Sequence, residues 1–449
     1  MCSDCIVNFG ENHCKSCIVL PRFARYDHFM RSMSYEKDRE LNSILARIDS
    51  SFLSPVALAK PSNAAFSIGT ACDLRCVFCI RQHMLPVDSG FMNLQDFARR
   101  APELIGMQRA SLFGLGDPLL NKQFLEFVRV CHAYGIETVA TTHAMHLTRE
   151  LAEEIIAEGV EEIGISLDAA EQPLLNQLRE NSDLERIQQN VAYLAQRRRE
   201  RNAPLPAIIV TCTTSRLNMH QMPLLAQWAV DVGADGICFS DMIAVQEGFV
   251  QHTLGNCEEF GEYYQQAQAV AEKHGLAIAH FKQKAEPWRY EVLRTEGMPH
   301  GCSVPWEGLF VERRGETRPC CYMDPDHDNF FEQDIERSFH SERKLNLRSG
   351  LIRSQIPLEC RGCYNLIPNS RPRAESCLQQ AEDMLNRSTL LEDADRQRIK
   401  DLLRDYRQKL DDMFPMAQAQ IIPLPKRLAR HAVPQPLRYA VRKLIQRFY

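Results

Sequence analysis

Cys72, Cys76 and Cys79 lie in the stretch ACDLRCVFCI, separated by three residues and then by two. That spacing lets one tight loop turn three thiolates toward a single centre, and soft sulfur ligands favour iron–sulfur clusters or zinc over hard cations. The missing fourth ligand carries the argument further. A structural metal site is closed by four protein ligands, whereas three leave a position open for something that reacts. A zinc loop completed by a distant residue is the competing reading, and the elements after the loop weigh against it.

Those elements alternate. Ala64 to Gly69 reads as a strand ending at the cysteine loop, and Ala110 to Gly114 as a second running into Gly114-Leu115-Gly116-Asp117-Pro118. Asn121 is placed to cap a helix whose apolar face holds Phe124, Phe127, Val128 and Cys131. Strands are expected at Glu137 to Thr141, Glu162 to Leu167, Ala207 to Thr213 and Gly236 to Ser240. Between them come helices over Thr148 to Gly159, after a capping box of Ser182 and Glu185, and over Met222 to Gly233. Six strands separated by helices imply parallel pairing through right-handed crossovers. The expected fold is α/β, a (β/α)6 partial TIM barrel over residues 61–245, with ligands at the carboxyl ends of the strands. Cys131, Cys212 and Cys238 fall on apolar faces and read as core thiols.

The cysteine loop, with Phe78 just before its last cysteine, resembles the hallmark of the radical S-adenosylmethionine (SAM) superfamily. The resemblance implies that Cys72, Cys76 and Cys79 hold a [4Fe–4S] cluster whose open iron chelates SAM, and that an electron passed through it releases a 5′-deoxyadenosyl radical. Gly114, Gly116 and Asp117 take the place of the family's Gly-Gly-Glu motif for the methionine amino group, with Leu115 and Asp117 as departures. Ser166 and Asp168 take the place of a strand end that contacts ribose and carboxylate. Arg216 and Asn218 are further candidates for the SAM carboxylate or ribose, and His143 and His146 for SAM or substrate.

A second constellation follows. Twelve residues separate Cys302 from Gly315 and four separate Gly315 from Cys320, with Cys360 and Cys363 beyond. The pattern resembles that of SPASM domains, and Gly315 suits the tight turn of a hairpin that would bring Cys302 and Cys320 together. Because Cys377 alone follows, the resemblance favours the shorter twitch form over residues 301–378, with one auxiliary [4Fe–4S] cluster on Cys302, Cys320, Cys360 and Cys363. Cys321 and Cys377 are left as candidate hydrogen-atom donors to a substrate radical, as in the radical SAM epimerases this chain resembles.

The flanks differ in character. Residues 1–60 form a cysteine-rich extension in which Cys2, Cys5, Cys14 and Cys17 suit tetrahedral zinc or a third cluster, followed by a helix carrying Leu41, Ile44, Leu45 and Ile48. Residues 246–300 bridge the two modules with few cues beyond Tyr263 and Tyr264. Residues 379–449 are helical and basic: Ile399, Leu402, Leu403, Tyr406, Leu410 and Met413 form a stripe for packing on the catalytic body or a second subunit. The terminal LRYAVRKLIQRFY interleaves basic and apolar residues, a candidate peripheral contact with an anionic membrane at about 1 kcal/mol per basic residue.

At 449 residues the length suits roughly three domains. A net charge of −5 leaves no basic footprint, so no nucleic-acid partner is expected. No apolar run reaches the roughly 18 residues of a membrane span, and the start does not read as a signal peptide. Seventeen cysteines in such a chain read as metal ligands in a reducing compartment, the cytoplasm, with the inner membrane face as a peripheral location. The expected activity is that of a radical SAM oxidoreductase that oxidises, epimerises or dehydrates a sugar, aminocyclitol or related small molecule. It would be fed by an electron donor of the flavodoxin or ferredoxin type. The alternatives are a peptide- or protein-modifying radical SAM/SPASM maturase and a non-catalytic metal-binding scaffold.

Overall fold

The structure is a computed structural model describing residues 25–82, 89–242, 247–254, 257–281, 299–320, 323–357, 360 and 366–414, as backbone alone over 25–34 and at 247. In chain order the elements are α1 (Arg25–Asp49), β1 (Asn63–Ser67), β2 (Arg75–Cys76), α2 (Leu94–Arg100), β3 (Arg109–Phe113), α3 (Phe124–Ala133), β4 (Glu137–Thr142), α4 (Arg149–Glu158) and β5 (Glu162–Ser166). Then come α5 (Gln172–Leu178), β6 (Arg179–Glu180), α6 (Leu184–Glu200), β7 (Ala207–Thr214), α7 (Met222–Val232), β8 (Gly236–Asp241), α8 (Glu258–His274) and β9 (Ala277–Phe281). The remainder comprises β10 (His300–Gly301), α9 (Val304–Glu307), β11 (Gly308–Val311), β12 (Thr317–Arg318), α10 (Ile335–Phe339), α11 (Glu342–Ile352), β13 (Ile367–Pro368), α12 (Arg371–Arg387) and α13 (Asp393–Met413).

Among the described residues nine strands form one sheet in the order β12-β11-β1-β3-β4-β5-β7-β8-β9. The six strands expected from the sequence are its contiguous middle, and every pair among them is parallel. Two additions extend the partial barrel. The 246–300 segment supplies α8 and β9, which pairs parallel to β8, and β11 of the 301–378 region pairs parallel to β1. The carboxyl-terminal module therefore grows directly out of the edge of the barrel sheet.

Successive side chains of a strand point to opposite faces. Ala64, Phe66, Leu112, Ile163, Ile165, Val210 and Phe239 join the core beneath the helices. The opposite face carries Ser111, Thr141, Ser166, Thr211, Thr213 and Ser240, none of them fully buried. The inner face of the sheet thus carries these hydroxyls among apolar residues that include Val139, Ile209 and Cys238, and Phe113 stands on it 37% exposed.

Two helix starts differ from the expected ones. At α6 the cap is Asp183, whose carboxylate accepts from Arg186 N, because the Ser182 hydroxyl donates to Asn176 and Glu185 accepts from Gln189. Asn121 does not cap α3: its Oδ1 accepts from Gln123 N while its Nδ2 donates to the Ile68 carbonyl, 2.9 Å away. That bond ties the loop after β3 to the segment leading into the three cysteines.

The stripe on α13 finds its partner within the chain. Ile399, Leu403, Tyr406 and Leu410 are buried with Ala374, Leu378, Ala381 and Leu385 of α12 and with Ile44 and Ile48 of α1. The first and last described helices therefore share one apolar layer. No described helix is long and apolar enough to cross a membrane, and the basic tail lies outside the described residues.

At the end of α1, the buried Asp49 carboxylate accepts from Leu58 N and Ala59 N at 2.8 and 2.9 Å. Burial raises its pKa to about 7, against the pull of those two amides and of Arg348. Between about pH 4 and 7 the unfolded chain is ionised at this position while the folded chain keeps a proton. The unfolded state binds fewer protons there, so stability from this group falls as pH rises through that window. The slope approaches about 1.4 kcal/mol per pH unit. Urea unfolding of the wild type and of Asp49→Asn at pH 5 and 7 should show the decline in the former and a flatter response in the latter.

Candidate active site

The cysteine loop leaves the carboxyl end of β1 and is held by backbone bonds as well as by side chains such as Asn121, Arg81 and Asn181. Gly116 N donates to Gly69 O at 3.2 Å, Asp117 N to Ala71 O at 2.8 Å, and Val77 N to Leu178 O at 2.9 Å. β2 pairs antiparallel with β6, setting Cys76 opposite Arg179. Gly114 and Gly116 make this closeness feasible. A Cβ on Gly114 would lie 2.2 Å from Gly69 O, and one on Gly116 would lie 2.1 Å from Ala71 O. The glycines admit the cysteine loop itself.

Cys72, Cys76 and Cys79 are all half-buried. Burial raises the Cys72 thiol to about 11 and pushes Cys76 up as well, against Arg179 in the latter case. A coordinated metal deprotonates such thiols outright. Three half-buried thiols on one short loop suit a thiolate-held cluster.

Arg179 is the functional residue that sequence reasoning missed. Its Nε donates to Asp168 Oδ2 at 2.7 Å, and its Nη1 lies 3.8 Å from Cys76 Sγ in donor geometry. Burial alone would lower its pKa, but Asp168 and Cys76 more than offset this and hold the guanidinium charged. Asp168 in turn accepts from Thr213 N at 2.7 Å. The signal for Arg179 was its place one short helix after Ser166-Leu167-Asp168.

Other expected site residues are placed as follows. Ser166 ends β5, half-buried on the inner face and opposite Thr211. Phe78 packs edge-on against Phe249, ring centroids 5.7 Å apart, joining the cysteine loop to the segment after β8. Asp117 is 3% exposed, and its carboxylate is consumed by Leu119 N, Thr142 Oγ1 and His143 N at 2.7–2.9 Å. It braces the loops after β3 and β4, with one of these bonds on Oδ1 and two on Oδ2. Asn218 is wholly buried and spends its amide on Asp168 O and Thr213 O, so it braces the loop after β7. Arg216 donates to Thr253 O and Leu254 O and turns toward the 247–257 segment.

The two histidines do reach the cysteine loop. His146 Nε2 lies 2.7 Å from Asp73 Oδ2, and His143 Nε2 lies 3.0 Å from Asp73 Oδ1 and 3.2 Å from Asp117 Oδ2. Burial holds His143 below the usual histidine pKa, against the pull of Asp117 and Asp73. Partial burial would raise Asp73, but the two histidines keep it below the usual carboxylate range.

In the carboxyl-terminal module, β11 and β12 form the expected hairpin, with Gly315 at φ +96° in its turn. Cys302, Cys320 and Cys360 all pack against one buried cluster of Phe52, Trp306, Met323, Phe339, Leu347 and Leu351. Cys363 and Cys321 lie outside the described residues, as do Cys2, Cys5, Cys14 and Cys17. Cys377 is buried in the seam between α12 and α1, where its thiol donates to Ser50 O at 3.5 Å. That is a packing position rather than a pocket-facing one.

Residues 66–211 match the model of the radical SAM superfamily, and residues 302–364 match that of SPASM, an iron–sulfur cluster-binding domain. The chain carries a radical SAM domain and a SPASM domain. These domains imply [4Fe–4S] clusters and SAM as cofactors, and the first of these suits the three half-buried thiols of the cysteine loop. The tungsten-containing aldehyde ferredoxin oxidoreductase cofactor-modifying protein of Pyrococcus furiosus is 26% identical over 185 residues, 39% of this chain and 50% of that protein. The PqqA peptide cyclase of Bradyrhizobium diazoefficiens is 27% identical over 177 residues, 39% of this chain and 45% of that protein. The matched regions thus span about half the length of these relatives. Streptococcus suis SuiB, in a crystal structure with its precursor peptide SuiA, superposes with a TM-score of 0.52 at 16% identity, covering 65% of this chain and 67% of that one. That likeness extends to the fold.

Proposed function

We propose that the chain is a radical SAM enzyme that takes a hydrogen atom from a polar substrate laid against the hydroxyl-bearing face of its sheet. The observation that carries this reading is the half-buried three-cysteine loop at the carboxyl end of β1. The bound [4Fe–4S] cluster and SAM supply a 5′-deoxyadenosyl radical when an electron arrives, in this reading from a flavodoxin- or ferredoxin-type donor. The chain supplies position and electrostatics. Cys72, Cys76 and Cys79 hold the cluster, Arg179 donates an N–H toward Cys76, and Phe78 with Phe249 covers the loop with apolar surface. Ser166, Thr211, Thr213 and Ser240 offer hydroxyls on the inner face at the same end of the sheet.

A peptide or protein is the first substrate reading, supported by the relative that cyclises the PqqA peptide. A sugar- or aminocyclitol-like molecule is the second, favoured by the run of hydroxyls and the lack of charge among those inner-face residues. In both readings the cluster on Cys302, Cys320, Cys360 and Cys363 accepts or relays an electron beside the substrate.

The test uses the full chain, loaded anaerobically with iron and sulfide and reduced with dithionite. Wild-type protein should convert SAM to 5′-deoxyadenosine, and Cys76→Ala should fall to background. No product from the wild type, or undiminished product from the variant, refutes the reading. Deuterated peptide or sugar pools would then show which class passes its label into 5′-deoxyadenosine.

A further inference from the structure

His143 is 5% exposed in its side chain, and its two ring nitrogens have different surroundings. The backbone N–H of Met145 donates to Nδ1 at 3.2 Å. A nitrogen that accepts a hydrogen bond carries no proton, so the proton of the neutral ring sits on Nε2. Although Nε2 lies 3.0 and 3.2 Å from Asp73 and Asp117 oxygens, neither completes a hydrogen bond with it. The Cys72 sulfur, an Asp73 carboxylate oxygen and a His143 ring nitrogen lie within 4.8 Å of one another. A buried N–H is therefore left without an acceptor on a ring that has a nitrogen within 4.8 Å of the Cys72 sulfur.

Taken alone, that trio would pass for a mononuclear metal site. The tautomer argues against it. To bind a metal through Nε2, the ring would have to carry its proton on Nδ1, directly against the Met145 N–H. Donation is the role left to this nitrogen. We propose that His143 is a positioning residue that directs its Nε2–H at the sulfur corner held by Cys72 and raises the reduction potential of the cluster there. Reduction adds negative charge to a cluster, and a donor N–H beside a ligand sulfur stabilises that charge. Asp73 and His146, joined at 2.7 Å, flank the ring on the solvent side.

The inference rests on the reading that the three-cysteine loop holds a [4Fe–4S] cluster. Its test is an EPR-monitored redox titration of the full, reconstituted chain, following the signal that Cys76→Ala removes. In His143→Ala the ratio of reduced to oxidised cluster at a fixed potential should fall at least tenfold, a negative shift of about 59 mV or more for one electron. His143→Gln, which keeps an N–H donor, should recover part of it. An unchanged potential in the Ala variant, or a Gln variant no different from it, overturns the proposal. Should His143→Ala fail to retain the cluster, wild-type protein grown with 15N-histidine decides the matter. Pulsed EPR of its reduced cluster should show a 15N coupling, and absence of that coupling overturns the proposal. A wild type with no Cys76-dependent signal would sink the cluster reading as well.

Discussion

Arg179→Ala should destabilise the protein by about 3–5 kcal/mol and strip the support from Cys76. That is the usual penalty for removing one partner of a buried ion pair, because the other charge is left uncompensated. Asp168 is 2% exposed, and without Arg179 its carboxylate would keep the Thr213 N–H but lose its countercharge. In the β2–β6 ladder Cys76 stands opposite Arg179, and Arg75 stands opposite Glu180. The guanidinium therefore reaches the Cys76 sulfur from the same short strand that fixes the backbone of that cysteine.

Lysine should not rescue the loss, since a single ammonium lacks the planar fork that reaches Asp168 and Cys76 together. Replacing both members with apolar residues, Arg179→Met with Asp168→Leu, should recover much of the stability without restoring an N–H toward Cys76. Urea unfolding of the four proteins checks the energies, and iron counts check the loop. A cost below about 1 kcal/mol for Arg179→Ala would mean the pair is solvated and worth no more than a surface bridge.

The parts of this molecule that could be read from its sequence are those with local causes. Strands such as Ala207–Thr214 alternate and are punctuated by helices, so six of the parallel strands emerge from periodicity alone. The hairpin at Gly315 was legible because a positive φ is expected of glycine at such a turn. β9 was not, since five residues reading AIAHF carry too short a pattern, and its strand status depends on pairing with β8. Asp117 shows the opposite failure. Its position in the loop was legible, but the claims of Thr142 and His143 on its carboxylate come from another strand. Arg179 drew no notice in the sequence, because its partner Cys76 lies 103 residues away.

Gly116→Ala should cost the SAM cluster its site while leaving the carboxyl-terminal module loaded. The added Cβ would sit 2.1 Å from Ala71 O and 2.7 Å from Ala71 N and C, all backbone atoms that no rotamer change can move. The clash must be relieved by pushing the cysteine loop away from the loop after β3. That movement breaks the Asp117 N to Ala71 O bond and displaces Cys72, the next residue. Overpacking of a well-packed region costs about 1–3 kcal/mol, and collision with backbone belongs at the upper end. Gly261→Ala provides the contrast. It lies in α8 with nothing within 4 Å of its Cβ, so the helix should gain about 0.5–1 kcal/mol there. Iron and sulfide analysis with thermal melts on the two variants would show loss in one and none in the other. Full occupancy of the Cys72, Cys76 and Cys79 site in Gly116→Ala would show that the loop tolerates the displacement, and that the close approach of the two backbones is not what holds the three thiols in place.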